Sequence, residues 1–208
     1  MITKKEIFSV ITISIVFGVI ISLVETINLL LIATLISFLI ISINLLAKKI
    51  TAFYLDIDIE TKIWEVKQFW VKRHHHFRKP VQMGIFIPLV LKFLSVGLIN
   101  WMASLTFDAS GKTYRAARRH GIYSFSEVTE EEMGWIAGAG IIVTLVFGAI
   151  GYMIGQETFA KLSIMYAFYN MFPLFDLDGS KIFFGSIPFW STLAVITCLG
   201  VLSIIFIV

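Results

Sequence analysis

Apolar residues come in long runs broken by short charged stretches, and the runs set the first expectation. Residues 7–24 and 27–47 are nearly continuous apolar segments, separated by the short Glu25-Thr26 break and closed by Lys48-Lys49. Residues 133–155, 159–175 and 187–208 repeat the pattern in the second half. A membrane-crossing helix needs about 20 mostly apolar residues, so five spans are expected, the 159–175 span being short. Residues 81–107 are also apolar, but Gly84, Pro88, Lys92 and Gly97 interrupt them. This stretch is expected either to dip into the membrane and return or to form a sixth span.

Local polar patterns refine the ends. Thr129-Glu-Glu-Glu132 has the capping-box spacing, with Thr129 as N-cap and Glu132 three residues on, so a helix should start near Glu130. Asn100–Phe107 is rich in strand-forming residues and is followed by Asp108-Ala-Ser-Gly111, which reads as the turn of a short β-hairpin. Ile63, Trp64, Phe69 and Trp70 with interleaved Lys read as an interfacial amphipathic helix. Gly134, Gly138, Gly140, Gly148, Gly151 and Gly155 include small-xxx-small spacings that let helices approach closely.

Composition agrees with the pattern. The chain has 208 residues, 58% hydrophobic and 15% charged, against about 25% charged in soluble domains. Disorder and a disulfide scaffold are excluded, the latter because Cys198 is the single cysteine. The expected architecture is a single all-α polytopic membrane bundle over 1–208, with five to six transmembrane helices and a re-entrant or β-hairpin element at the cytoplasmic face.

Charge sets the sidedness. Of 17 Lys and Arg, two precede residue 7, eight lie in 48–80, four lie in 108–132, and Lys181 follows the fourth span. If 81–107 does not cross fully, these 15 share one side, which the positive-inside rule makes cytoplasmic. The N-terminus is then cytoplasmic, and 48–80 and 108–132 are cytoplasmic juxtamembrane segments. Lys92 and Lys161 stand outside the pattern. The run Lys72-Arg73-His74-His75-His76-Phe-Arg78-Lys79 reads as a cationic face attracted to anionic lipid head groups. His120 reads as a loop residue near the same head groups. A chain this apolar finds its anions in lipid, so nucleic acid is not expected as a partner.

The segment richest in chemistry is Asn170-Met-Phe-Pro173-Leu-Phe-Asp176-Leu177-Asp178-Gly179. Pro173 breaks the helix, Gly179 permits a sharp turn, and two carboxylates stand at the end of an apolar run. Ionisable groups near membrane depth are costly and by default mark a function. Asn170, Pro173, Leu177, Asp178 and Gly179 resemble the second signature, Asn-x2-Pro-x3-Leu-Asp-Gly, of the site-2 protease family of intramembrane zinc metalloproteases. The resemblance implies that Asp178 is the position of a zinc ligand and that Asn170 lies beside the reacting centre.

The family's first signature is His-Glu-x-x-His, two metal ligands on one helix face with a general base between them. The family often carries Ala-Lys-Lys a few residues later, here Ala47-Lys48-Lys49. Counting back eight residues places the ligand positions at Leu39 and Ile43 and the base position at Ile40. All three are aliphatic, and 27–47 holds no His, Glu or Asp. A third signature, Gly-Pro-x-x-Asn, falls on Gly140, Ile141 and Thr144. A catalytic zinc takes three protein ligands and an open position. The expectation is therefore a catalytically inactive pseudoprotease without a cofactor, with Leu39, Ile40 and Ile43 packed into the former cleft. Asp178 would cap its turn or reach water, and the cleft would bind transmembrane helices of other proteins. The alternative is an active metalloprotease with non-standard ligands that include Asp178.

Overall fold

The structure, a computed structural model, describes residues 3–22, 27–68, 76–112 and 128–207. Its elements in chain order are α1 (Lys4–Ser22), α2 (Ile27–Tyr54), β1 (Ile57–Ile63), β2 (Val66–Gln68), β3 (His76–Val81), α3 (Met83–Leu94), β4 (Leu105–Gly111), α4 (Glu130–Met153), α5 (Glu157–Asn170), α6 (Asp178–Gly185) and α7 (Ile187–Ile207). The result is a mostly helical bundle. Among the described residues, four helices are long and apolar enough to cross a membrane: α1, α2, α4 and α7.

That count is lower than the expected five to six. α5 has 14 residues, about 21 Å at about 1.5 Å per residue, shorter than the roughly 30 Å hydrocarbon layer. It ends at Asn170 because Pro173 disfavours helical backbone ahead of itself. α3 has 12 residues and is shorter still, so 81–107 does not cross as one helix. After α3 the chain turns at Val96 and Gly97, both at positive φ, and runs without regular structure to Ser104. Trp101, Met102, Ala103 and Ser104 are buried there, and irregular backbone at membrane depth is tolerated where protein covers it.

Both helix starts that carry Thr-x-x-Glu are capped reciprocally. Thr129 Oγ1 accepts from the Glu132 N–H, while the Glu132 carboxylate accepts from the Thr129 N–H, so α4 starts where its spacing predicts. Thr3 and Glu6 make the same pair of bonds at the start of α1.

The strands depart furthest from expectation. β1 pairs antiparallel with β4, with Ile57 opposite Gly111 and Ile63 opposite Leu105. Asp108–Gly111 therefore continues a strand and does not make the expected hairpin turn. The expected interfacial helix is also absent at its described residues. Ile63 ends β1, and Trp64 is buried between β1 and β2, its backbone N–H donating to the Ser104 carbonyl. Phe69 and Trp70 lie outside the described residues, as do His74, His75, His120 and the side chain of His76. The cause is legible in Ile57-Asp-Ile-Glu-Thr-Lys-Ile63, which alternates with period two, and its burial alternates in step. Gly84 allows the segment leading into β4 to lie this close to α3: a Cβ there would meet the Ser104 carbonyl oxygen at 2.3 Å.

α1 packs on α2, and α4 packs on α2, α5 and α6. The sheet, the start of α1, the end of α2, the start of α4 and α6 all lie at one end of the bundle. α7 is apolar all round and exposes Val195 and Leu199, as a lipid-facing helix does.

Candidate functional site

Asp178 is the first residue of α6, preceded by Leu177 in extended backbone. The loop that delivers it runs from Met171 through Phe175, whose φ is 49°. Gly179 is required by proximity, because a Cβ on it would lie 2.3 Å from the Met171 carbonyl oxygen and 2.4 Å from its carbon. α6 thus starts hard against the end of α5. Pro173 is exposed, whereas Leu177 is fully buried with Trp64, Trp101 and Ala103.

Asp178 itself has 0% exposure and bonds Lys48 and no backbone N–H among the described residues, so it neither reaches water nor caps its turn by a hydrogen bond, which corrects both forms of the expectation. Its Oδ2 accepts from Lys48 Nζ at 2.5 Å, and its Oδ1 has no hydrogen-bond partner among the described residues. The Lys48 side chain is 5% exposed, so the pair is buried on both sides. A buried carboxylate is tolerable only when paired, and a charge-assisted bond of this length is the strong kind. The helix N-terminus adds a favourable partial charge.

Two neighbours make room for the ammonium. Gly140 on α4 lies against it: a Cβ there would approach Lys48 Cε to 2.7 Å and Asn44 Nδ2 to 2.9 Å. Asn44, one turn before Lys48, donates to Thr144 Oγ1 at 3.2 Å, and Thr144 donates in turn to the Gly140 carbonyl. Phe107 of β4 completes the surroundings, with its ring centroid 5.3 Å from Lys48 Nζ and 3.9 Å from Lys181 Nζ.

Leu39 and Ile43 stand elsewhere than the sequence alignment implied. At about 100° per residue, Leu39 lies about 180° around α2 from Lys48 and Ile43 about 140°. Leu39 is accordingly 44% exposed, Ile43 half-buried, and Ile40 buried in the cluster between α1, α2 and α5. The α2 face turned to Asp178 carries Asn44 and Lys48, four residues apart and about 40° from each other. Lys48 reads in sequence as a surface charge because it closes an apolar run, and that hides its pairing with Asp178.

Asn170 is buried at the end of α5, and its Nδ2 donates to the Tyr166 carbonyl at 2.8 Å and to the Met102 carbonyl at 3.4 Å. It ties the irregular 100–104 segment to the bundle, and its Oδ1 has no partner. Asp176 is exposed, but its carbonyl accepts from Thr106 Oγ1 at 2.6 Å, which binds the loop to β4. Lys181 donates to Thr106 Oγ1 and to the Phe107 carbonyl. Burial pushes the Lys181 ammonium down from the usual 10.5 to about 8, with the Asp178 charge opposing that shift.

Beside this centre lies a cavity of about 470 Å³ lined by Phe107, Ala109, Glu130, Met133, Asp176 and Lys181. In the β1–β4 register, Thr61 and Ile59 use their backbone groups away from β4, so their partners Phe107 and Ala109 point theirs away from β1. Among the described residues no strand pairs with that edge of β4, which faces the cavity.

Among the described residues the donors around Asp178 do not make up a zinc set. Three protein ligands are needed. Here one carboxylate is already paired with an ammonium, which repels a second cation, and no group of three His, Cys, Asp or Glu comes together among the described residues. No family model matches the chain, and neither a curated protein nor a solved structure is significantly similar to it.

Proposed function

We propose that this polytopic membrane protein has the site-2 protease type of centre with its metal position taken by Lys48, and that it binds membrane partners without cleaving them. The observation that carries the reading is the Lys48–Asp178 pair. Asn44 and Lys48 have the i, i+4 spacing that two zinc-binding histidines need on a helix, and Asp178 faces Lys48 from the motif that resembles the family's third-ligand segment. An ammonium standing on that carboxylate supplies one positive charge but no Lewis-acid site and no water to activate. Without a base or a metal, a bound peptide bond is not attacked.

The surface left for a partner is the free edge of β4 and the cavity beside it. An extended segment there gains backbone hydrogen bonds from Phe107 and Ala109, and the cavity takes its side chains. The partner is the unwound end of a transmembrane helix, or a strand next to one, because the edge lies at the end of an apolar bundle. The N-terminus and the sheet face the cytoplasm in this reading, since 15 of the 17 basic residues fall on that side.

Metal analysis of the purified protein in detergent tests the centre. The expected zinc content is far below one per chain, and unchanged in Asp178→Ala. Stoichiometric zinc that is lost in Asp178→Ala refutes the reading in favour of an active metalloprotease with non-standard ligands.

A further inference from the structure

Two basic residues stand outside the one-sided charge pattern, Lys92 and Lys161. The protein accounts for Lys92, whose Nζ donates to the Gly97 carbonyl at 2.8 Å and to Asn100 Oδ1 at 2.6 Å. Lys161 has no such partner. It is half-buried in the second turn of α5, and Glu157, one turn back on the same face, is not within ion-pair distance. No other described residue bonds it.

Lys161 lines a groove of about 400 Å³ between α4, α5 and α7, at the end of the bundle away from Asp178. The rest of the lining is almost wholly apolar, including Leu145, Ile164 and Ile196. Gly148 and Gly200 deepen it by omitting side chains where the helices meet. Tyr152 lines it too, a residue type enriched at membrane interfaces. The groove thus combines a slot for hydrocarbon with a cation that no described residue compensates.

We infer that this groove holds one acyl chain of an anionic phospholipid, with the lipid phosphate on the Lys161 ammonium. The chemistry selects this occupant over another protein helix. A helix laid in the groove would bury Lys161 without a counter-charge, a cost that a lipid phosphate removes. A lysine stem lies along apolar surface while its head reaches the interface, where a head group stands. This lipid site is separate from the cationic 72–79 run and does not depend on the reading of Asp178.

The test reconstitutes the full chain with equal mole fractions of phosphatidylglycerol and phosphatidylcholine and counts retained lipids by native mass spectrometry. The expected preference for phosphatidylglycerol is about fivefold, the size of one lysine's attraction to an anionic surface. Lys161→Gln, a polar change at a half-buried position, should remove one retained phosphatidylglycerol per chain and leave any lipid held by the 72–79 run in place. Ile196→Trp, which fills the groove from an exposed position, should reduce retention of both lipids. Equal retention by the native chain, or a count of retained phosphatidylglycerol unchanged in Lys161→Gln, overturns the inference. So does a dimer that forms in place of lipid binding and is lost in Ile196→Trp, which would assign the groove to a second copy.

Discussion

Replacing Lys48 by Met keeps most of the stem and removes the charge. The carboxylate of Asp178 then stays at 0% exposure with neither oxygen bonded, because Oδ1 has no partner even in the native chain. Breaking a buried pair from one side costs about 3–5 kcal/mol, most of it the penalty of the stranded charge. Both partners are at least nine-tenths buried, so little solvent screening reduces that figure. Removing both charges is different: the double variant Lys48→Met with Asp178→Asn strands no ion and should recover at least about 2 kcal/mol of the loss. The assay is reversible unfolding in mixed micelles with increasing denaturing detergent, followed by circular dichroism, on the native chain, both single variants and the double. A Lys48→Met cost below about 1 kcal/mol, or additive single effects, refutes the claim that this pair sits dry at the centre.

Gly179→Ala should destabilise by about 1–3 kcal/mol or more, because its Cβ would meet Met171 backbone at 2.3 Å and backbone cannot swing aside as a side chain can. A melting temperature unchanged from the native value in the same micelles counts against that close approach. For Lys181, acylation by an amine reagent should titrate with a midpoint near pH 8, and a midpoint above pH 10 contradicts the burial argument. The same shift has a stability sign. The folded chain holds this proton less tightly than the unfolded one, so stability from Lys181 alone rises between about pH 8 and 10.5, and Lys181→Met removes that rise.

The apolar runs made the helical architecture legible, and the Thr129–Glu132 spacing gave the start of α4, because both are local signals with a single physical cause. The strand pairing was not legible, since it joins β1 to a segment on the far side of α3 and no local rule reports such a partner. β1 itself was readable: Ile57, Ile59, Thr61 and Ile63 alternate with Asp58, Glu60 and Lys62. The pull of Trp64 and Trp70 towards an interfacial helix masked that period. At the site, the motif led to Asp178 and Gly179, whose burial and close approach give the motif a structural reason. Its partner was hidden because Lys48 and Lys49 look alike in sequence. One turns in to Asp178 and the other to Glu6, and only the direction of each side chain on α2 tells them apart.

That divergence also treats the two edges of the sheet unequally. On the β1 side, Glu6 accepts from the Thr61 N–H and Lys49 donates to the Ile59 carbonyl, while the two side chains pair with each other at 2.7 Å. An acid and a base thus stand where a further strand's carbonyl and N–H would be, and the edge is closed. On the β4 side, Lys181 meets the Phe107 carbonyl, and beyond it lies the 470 Å³ cavity. A chain that needed only to protect its sheet would close both edges. Under the proposed function, this edge, held among the described residues by Lys181, is where an added strand would pair. Lys181 sets the entry cost, because a segment pairing at Phe107 must displace one ammonium from one carbonyl. Binding at this edge should therefore strengthen as pH rises through 8, and partner binding that is indifferent to pH between 7 and 9 would place the partner elsewhere on the bundle.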